Sequence, residues 1–195
     1  MPDDKNTGSS TTPFLTDVAT LRERARKNLE AGAVTSNYGA NPKQVVEVLN
    51  AALATEIVCV LRYKRHYFMA QGIASDSVKT EFQEHANEEQ GHADQLAGRI
   101  VQLGGSPNFN PEGILSRSHS EYVEGQTLLD MIKEDLIAER IAIDSYTEMI
   151  RYIGDDDITT RRVLESILAV EEEHAEDLAS FLADLDKDWK VRDRA

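Results

Sequence analysis

The sequence predicts an all-α protein: a bundle of four long helices arranged as two antiparallel hairpins joined by a long crossover, with one short extra helix before it. Three features point there. Apolar residues recur at helical spacing over four stretches of nearly equal length. No stretch between them alternates as a strand would. The links between stretches run short, long, short, which makes each outer pair a hairpin and leaves the middle link to cross the bundle.

A chain of 195 residues with 41% apolar and 29% charged residues is the size of one domain with a buried core. Thirty-five acidic against 21 basic residues leave a formal charge of -14. Such a field gathers cations and disfavours broad contact with nucleic acid or an anionic membrane. The single cysteine, Cys59, excludes an internal disulfide framework and any cysteine-rich metal site. A reducing cytoplasm is the expected compartment. Residues 1–12 lack the apolar segment of a secretion signal, and no run of about 18 consecutive apolar residues occurs, so no membrane span is expected.

Residues 1–40 read as a polar, mobile tail followed by a short amphipathic helix, and residues 41–190 as the bundle. That first helix is expected from Phe14 to about Ala31 and carries a small basic patch, Arg22, Arg24, Arg26 and Lys27. Asn41-Pro42 is an N-cap with proline at the first helical position, opening a helix to Ala70. The second runs from Ser75 to Leu103. A link rich in turn formers, residues 104–126 and without helical period, can span a bundle of about 40 Å at about 3.3 Å per residue. Thr127 with Asp130 forms a capping box that opens the third helix, and Gly154 closes it after Ile153. The fourth is expected from Asp157 to Leu185.

Polar residues interrupt the apolar stripe of each helix near its middle. The first stripe holds Glu56, the second Glu89 and His92, the third Glu139, and the fourth Glu171 and His174. Residues three apart share a helix face, so each Glu-x-x-His pair can converge on one point. Counted from the hairpin turns near residues 73 and 155, all four glutamates lie about 16 or 17 residues away, and hence at one level of the bundle. The glutamates stand 33 residues apart in one hairpin and 32 in the other, the near-repeat that a pseudo-twofold site requires. Four unpaired buried carboxylates would repel one another at several kcal/mol each, and two divalent cations cancel their formal charge. Oxygen-rich ligation with one imidazole per metal suits iron, with manganese or zinc as substitutes.

The stretches TEIVCVLRY, EEQGHADQLAGRIVQLGG, EDLIAERIAI and LAVEEEHAEDLASFL resemble the four ligand-bearing segments of the bacterioferritins, within the ferritin superfamily, over Gln44 to about Leu185. The resemblance implies a ferritin-like bundle holding two iron ions per subunit. Glu89 and Glu171 would bridge them, Glu56 and Glu139 would be terminal carboxylates, and His92 and His174 terminal imidazoles. Tyr63 matches the tyrosine that this family sets beside the metal pair. The implied activity is that of a ferroxidase, oxidising Fe(II) with dioxygen or hydrogen peroxide for iron storage or detoxification in a homo-oligomeric cage. Gln90 stands where bacterioferritins place a haem-ligating methionine, which argues against haem, and Met69, Met131 and Met149 lie elsewhere. Glu84 and Glu88 fall where that family can bind iron on the inner cage surface.

Plainer readings stand beside these. Glu172 and Glu173 read as a solvated face, Cys59 as a small core residue, and His66 and His119 as surface residues. His85 reads as a partly exposed or satisfied histidine rather than a seventh ligand. Tyr63 and Tyr146 each follow a glutamate by seven residues and can be core aromatics; Asp135 can orient a ligand histidine or satisfy local polarity. Two other functions remain open. A DNA-protecting mini-ferritin is disfavoured by the acidic start of the chain and by a ligand set complete in one subunit, since those proteins place metals between subunits. A di-metal oxidase or peroxidase without mineral storage is the other.

Overall fold

The computed structural model describes residues 16–72 and 75–192. The expected tail at residues 1–12, the start of the first helix at Phe14 and the hairpin turn at residue 73 lie outside them. The chain forms two compact units, residues 1–37 and 38–195. Among the described residues there is no strand.

In the first unit the short amphipathic helix expected to reach about Ala31 stops earlier. Helix α1 covers only Val18–Arg24, capped by Asp17, whose carboxylate accepts from Thr20 N at 3.0 Å. Asn28 takes a left-handed conformation (φ 53°), and a 3-10 turn, Leu29–Ala31, follows. No residue of α1 is buried, so nothing offsets the ordering cost of a longer helix.

The second unit is the four-helix bundle: α2 (Pro42–Met69), α3 (Ser75–Gln102), a single turn α4 (Ile114–Arg117), α5 (Leu128–Ile153) and α6 (Ile158–Arg192). The boundaries fall where the caps place them. Asn41 accepts from Lys43 N, and Thr127 and Asp130 form a complete capping box. Gly154 closes α5 at positive φ. Helix α6 runs past the expected end at Leu185, and α4 is a turn of helix that the sequence did not announce within the crossover. Helix α2 packs mainly on α3 and α5 mainly on α6, while α2 also faces α5 and α3 faces α6. Helix α2 is long and apolar enough to cross a membrane by composition, but most of that window is buried in the bundle.

Apolar layers sandwich the polar slice. Toward one end Phe82, Val78, Ile132, Leu178 and Met131 pack with Tyr63; toward the other Leu49, Leu53, Leu96, Ile100, Leu164 and Ile167 are fully buried. Two buried ionic groups fasten the parts. Asp157 caps α6 by accepting from Thr160 N (2.9 Å), and the same carboxylate accepts from Arg99 of α3 at 2.8 Å and from Tyr38 at 2.6 Å. One aspartate thereby opens a helix and ties the two hairpins together.

Asp135 does the second fastening, and of its two readings the structure supports the plainer one, an acceptor that satisfies local polarity, because its partners are Arg62 and His66 and not a histidine of the slice. Its carboxylate accepts from Arg62 Nε at 2.8 Å and faces His66 Nδ1 at 2.8 Å. Arg62 also donates to Ser120 Oγ and the Glu121 carbonyl, and His66 Nε2 donates to the Glu124 carbonyl at 2.9 Å. His66 is therefore a buried residue, not a surface one, because the crossover folds over it. Gly125 makes that approach possible: its φ is +61°, and a Cβ there would meet the Met131 backbone nitrogen at 2.9 Å. Burial raises the Asp135 carboxyl, and Arg62 and His66 oppose that shift. Asp135→Ala should lower stability by about 3–5 kcal/mol, the cost of leaving a buried guanidinium without its partner. Urea unfolding of the full chain measures it, and a wild-type midpoint would show that Arg62 is not held by this ion pair.

Candidate metal centre

Glu56, Glu89, His92, Glu139, Glu171 and His174 all project into one buried slice between the apolar layers. The middle of each helix delivers one glutamate because the stripes are in phase, and α3 and α6 each add a histidine one turn on. The residues fall into two groups of four: Glu56, Glu89, His92 and Glu171, then Glu89, Glu139, Glu171 and His174. Within each group one donor atom per residue lies within 4.8 Å of the others. Glu89 and Glu171 belong to both.

The donor atoms face inward. His92 Nδ1 lies 3.0 Å from Glu171 Oε1, 3.3 Å from Glu89 Oε2 and 3.4 Å from Glu56 Oε2. His174 Nδ1 lies 3.7 Å from Glu89 Oε1 and 3.8 Å from Glu139 Oε2 and Glu171 Oε2. Glu56 Oε2, Glu89 Oε1, Glu139 Oε2, both Glu171 oxygens and His174 Nδ1 are buried and make no hydrogen bond. Buried polar atoms are rarely left so, and these all converge on one space. The donor set thus fits a pair of divalent cations: hard oxygens, one imidazole to each half, and orphan atoms that metal bonds would satisfy.

Two tyrosines lock the terminal carboxylates in a reciprocal arrangement. Tyr63 of α2 donates to Glu139 Oε1 of α5, and Tyr146 of α5 donates to Glu56 Oε1 of α2 at 2.5 Å. Each glutamate keeps its second oxygen for the centre. The equal seven-residue spacing was the signal for this exchange, so Tyr146 is as much a part of the site as Tyr63. His174 Nε2 pairs with Glu88 Oε2 at 2.8 Å, which leaves its Nδ1 lone pair for the centre. His85 is fully enclosed: its ring stacks on His174 with centroids 3.9 Å apart, and its Nδ1 lies 3.2 Å from Tyr63 Oη.

The electrostatics are those of a crowded anionic pocket. Burial, then the charge of Glu89, pushes Glu56 well above the usual carboxylate range, and burial with the charges of Glu89, Glu56 and Glu139 does the same to Glu171. Burial also acts on Glu89, but the proton on its neighbour Glu56 and the two imidazoles outweigh it and hold Glu89 low. Burial disfavours charge on His92 and His174, yet the surrounding glutamates raise both to about 10. Burial and the cationic His174 bring His85 down to about 4. Without metal the pocket therefore holds protons where cations would sit.

Other residues lie where their spacing put them or away from the slice. Glu172 and Glu173 are exposed, as are Glu84 and His119, and Cys59 is a buried free thiol. Gln90 is exposed and donates to Asp94 at 3.0 Å. Arg62, the largest buried side chain outside the site that sequence reasoning missed, had only its i, i+4 spacing with His66 to mark it.

Comparison with known proteins agrees with this architecture. Residues 46–187 match the ferritin-like domain family. Over 145 residues the chain is 28% identical to the bacterioferritin of Rhodobacter capsulatus, covering 74% of this chain and 86% of that protein. It is 32% identical over 145 residues to the nutrient stress-induced DNA-binding protein of a Synechococcus species, covering 72% and 81%. Among solved structures, the dodecameric thioferritin of Bacteroides fragilis, a bacterioferritin-related protein, superposes with a TM-score of 0.75 at 30% identity over 78% of this chain and 92% of that one. The chain belongs to the ferritin-like family and is a bacterioferritin-like member of it.

Proposed function

We propose that this chain is a ferroxidase-type iron storage or detoxification protein acting at a dinuclear site within one subunit. The observation that carries the reading is the pair of four-residue groups sharing Glu89 and Glu171, with orphaned donor atoms turned inward. Fe(II) is the substrate. Glu89 and Glu171 would each contact both ions, Glu56 and His92 would complete one, and Glu139 and His174 the other. Two ferrous ions held by these residues would supply two electrons, which with two protons reduce dioxygen to hydrogen peroxide or peroxide to two waters. Tyr63 and Tyr146 hold Glu139 and Glu56 in place, and the apolar layers keep bulk water from the pair. Cage assembly would give the ferric product an enclosed volume, in line with the dodecameric relative.

A second reading, DNA protection, draws on the Synechococcus relative and on the exposed basic residues Arg22, Arg24, Arg26 and Lys27. Against it stands the -14 net charge. The full chain should leave duplex DNA unshifted in a mobility assay at physiological salt; a shift lost in Arg22→Glu/Arg24→Glu would favour that second reading.

The site sets the direction of two pH effects. His92 and His174 bind protons more tightly folded, at about 10, than unfolded, near 6.5. Their stabilising contribution is complete below about 6.5 and disappears as pH rises toward about 10. Glu56 and Glu171, raised by burial, act in the same sense above the unfolded carboxyl value. In chelator the melting temperature should therefore fall between pH 6.5 and 10, whereas Mn(II) must displace those protons and bind better as pH rises. At one hundred times its Kd, Mn(II) should add about 2.7 kcal/mol. A melting temperature indifferent to saturating Mn(II) at pH 7.5 would count against a buried metal pair.

Helix phase separates the ligands from their neighbours. Glu89→Ala and Glu171→Ala should each abolish rapid iron oxidation, since either removes a carboxylate shared by both groups. Glu172→Ala and Glu173→Ala, on exposed positions about 100° and 200° around α6, should retain it. Stopped-flow absorbance after mixing anaerobic Fe(II)-protein with oxygen reads the difference. Wild-type rates in all four variants would rule out this centre.

A further inference from the structure

A third convergence of donors lies one helical turn beyond the dinuclear set. Glu81 and His85 of α3 are four residues apart, and Asp177 of α6 follows His174 by three, so each helix brings a donor one turn beyond the slice. One donor atom from each of the three lies within 4.8 Å of the others. His85 is buried, Glu81 is partly buried and Asp177 is exposed, so the cluster opens to solvent on one side.

Hydrogen-bond accounting shows that this is more than an acidic patch. The single proton of Tyr63 goes to Glu139 Oε1, so Tyr63 Oη accepts from His85 Nδ1, 3.2 Å away. A neutral His85 then carries its proton on Nδ1 and turns the lone pair of Nε2 toward Glu81 Oε1, at 3.1 Å. Nε2, Glu81 and Asp177 are all acceptors. Among the described residues no lysine or arginine forms an ion pair with either carboxylate. Burial and the adjacent charge of Asp177 raise the Glu81 carboxyl, as expected where one proton must serve several acceptors. A buried imidazole lone pair facing the Glu81 carboxylate, with an Asp177 oxygen in the same group, is satisfied by that proton or by a cation.

We propose that Glu81, His85 and Asp177 form a third, mononuclear site for a divalent cation of the ferrous, manganous or zinc class, open to solvent and adjoining the dinuclear pair through His85. One imidazole nitrogen and two carboxylate oxygens suit such ions, which bind these donors at about 2.0–2.2 Å and complete their shell with water. The exposed Asp177 can swing inward to close the span. The inference concerns binding alone and does not depend on iron oxidation at the neighbouring centre. Because the His85 ring stacks on His174 and its Nδ1 reaches Tyr63, an ion here would sit one side chain away from both.

Zinc is a suitable probe, being redox-inert and visible by anomalous scattering. Full-length chain dialysed against saturating Zn(II) should hold about three ions per chain by elemental analysis. Asp177→Asn, an exposed substitution outside the dinuclear set, should hold about one fewer, and so should Glu81→Gln. Crystals grown with zinc should show an anomalous peak between Glu81 Oε1, His85 Nε2 and Asp177 in the wild type that is missing in Asp177→Asn. A peak there without peaks at the six-residue set would still support this site and count against the dinuclear one. Equal zinc content in wild type and both variants, or a map with the six-residue set filled and no density at His85 Nε2, would overturn the proposal.

Discussion

Four carboxylates held at one level inside an apolar bundle set the terms for the rest of this structure. Glu56, Glu89, Glu139 and Glu171 are all buried, and their mutual repulsion with desolvation would cost more than the marginal stability of a typical domain. The fold can keep them only by supplying compensating charge at that level. His92 and His174 provide part, protons on Glu56 and Glu171 another part, and the remaining donor atoms stay unsatisfied. A metal-binding bundle of this kind carries its instability in the slice where its chemistry would occur, and the apolar layers on either side hold that slice together.

The two tyrosines show how the backbone enforces the arrangement. Glu56 and Tyr63 are two turns apart on α2, as are Glu139 and Tyr146 on α5, and each tyrosine reaches the glutamate of the opposite helix. The exchange works only if α2 and α5 keep a fixed register. The ties that fix it lie away from the site: Asp135 to Arg62 between those helices, and Asp157 to Arg99 between α6 and α3. Site geometry and hairpin packing are thus one constraint.

Much of this could be read in the sequence because helical periodicity fixes phase. The four stripes, the level of the glutamates, the N-cap at Asn41 and the capping box at Thr127 follow from spacing alone, and the structure shows the same helices and the same convergence. What escaped depends on where the crossover lies. His66 looked like a surface histidine because nothing in α2 says that residues 120–124 will cover it, and the partner of Asp135 stayed unnamed because Arg62 lay off the stripe. Periodicity also overextended α1, none of whose residues is buried.

The pseudo-twofold symmetry of the site is incomplete in one direction. Replacing Glu89 by its counterpart Glu171, the position matching His85 is Ile167, that matching Glu81 is Val163, and that matching Glu88 is Val170. The counterpart of Asp177 on α3 is Gln95. Around His174, then, stand Glu88 on its Nε2, His85 on its ring face and Asp177 one turn on; the matching positions around His92 are two aliphatic residues and an amide. Glu88, which pairs with His174, is exposed, so a carboxylate at the surface reaches the slice on that side. The broken symmetry therefore sets two similar groups of donors in unlike surroundings: charged and imidazole neighbours beside His174, aliphatic and amide ones at the matching positions beside His92.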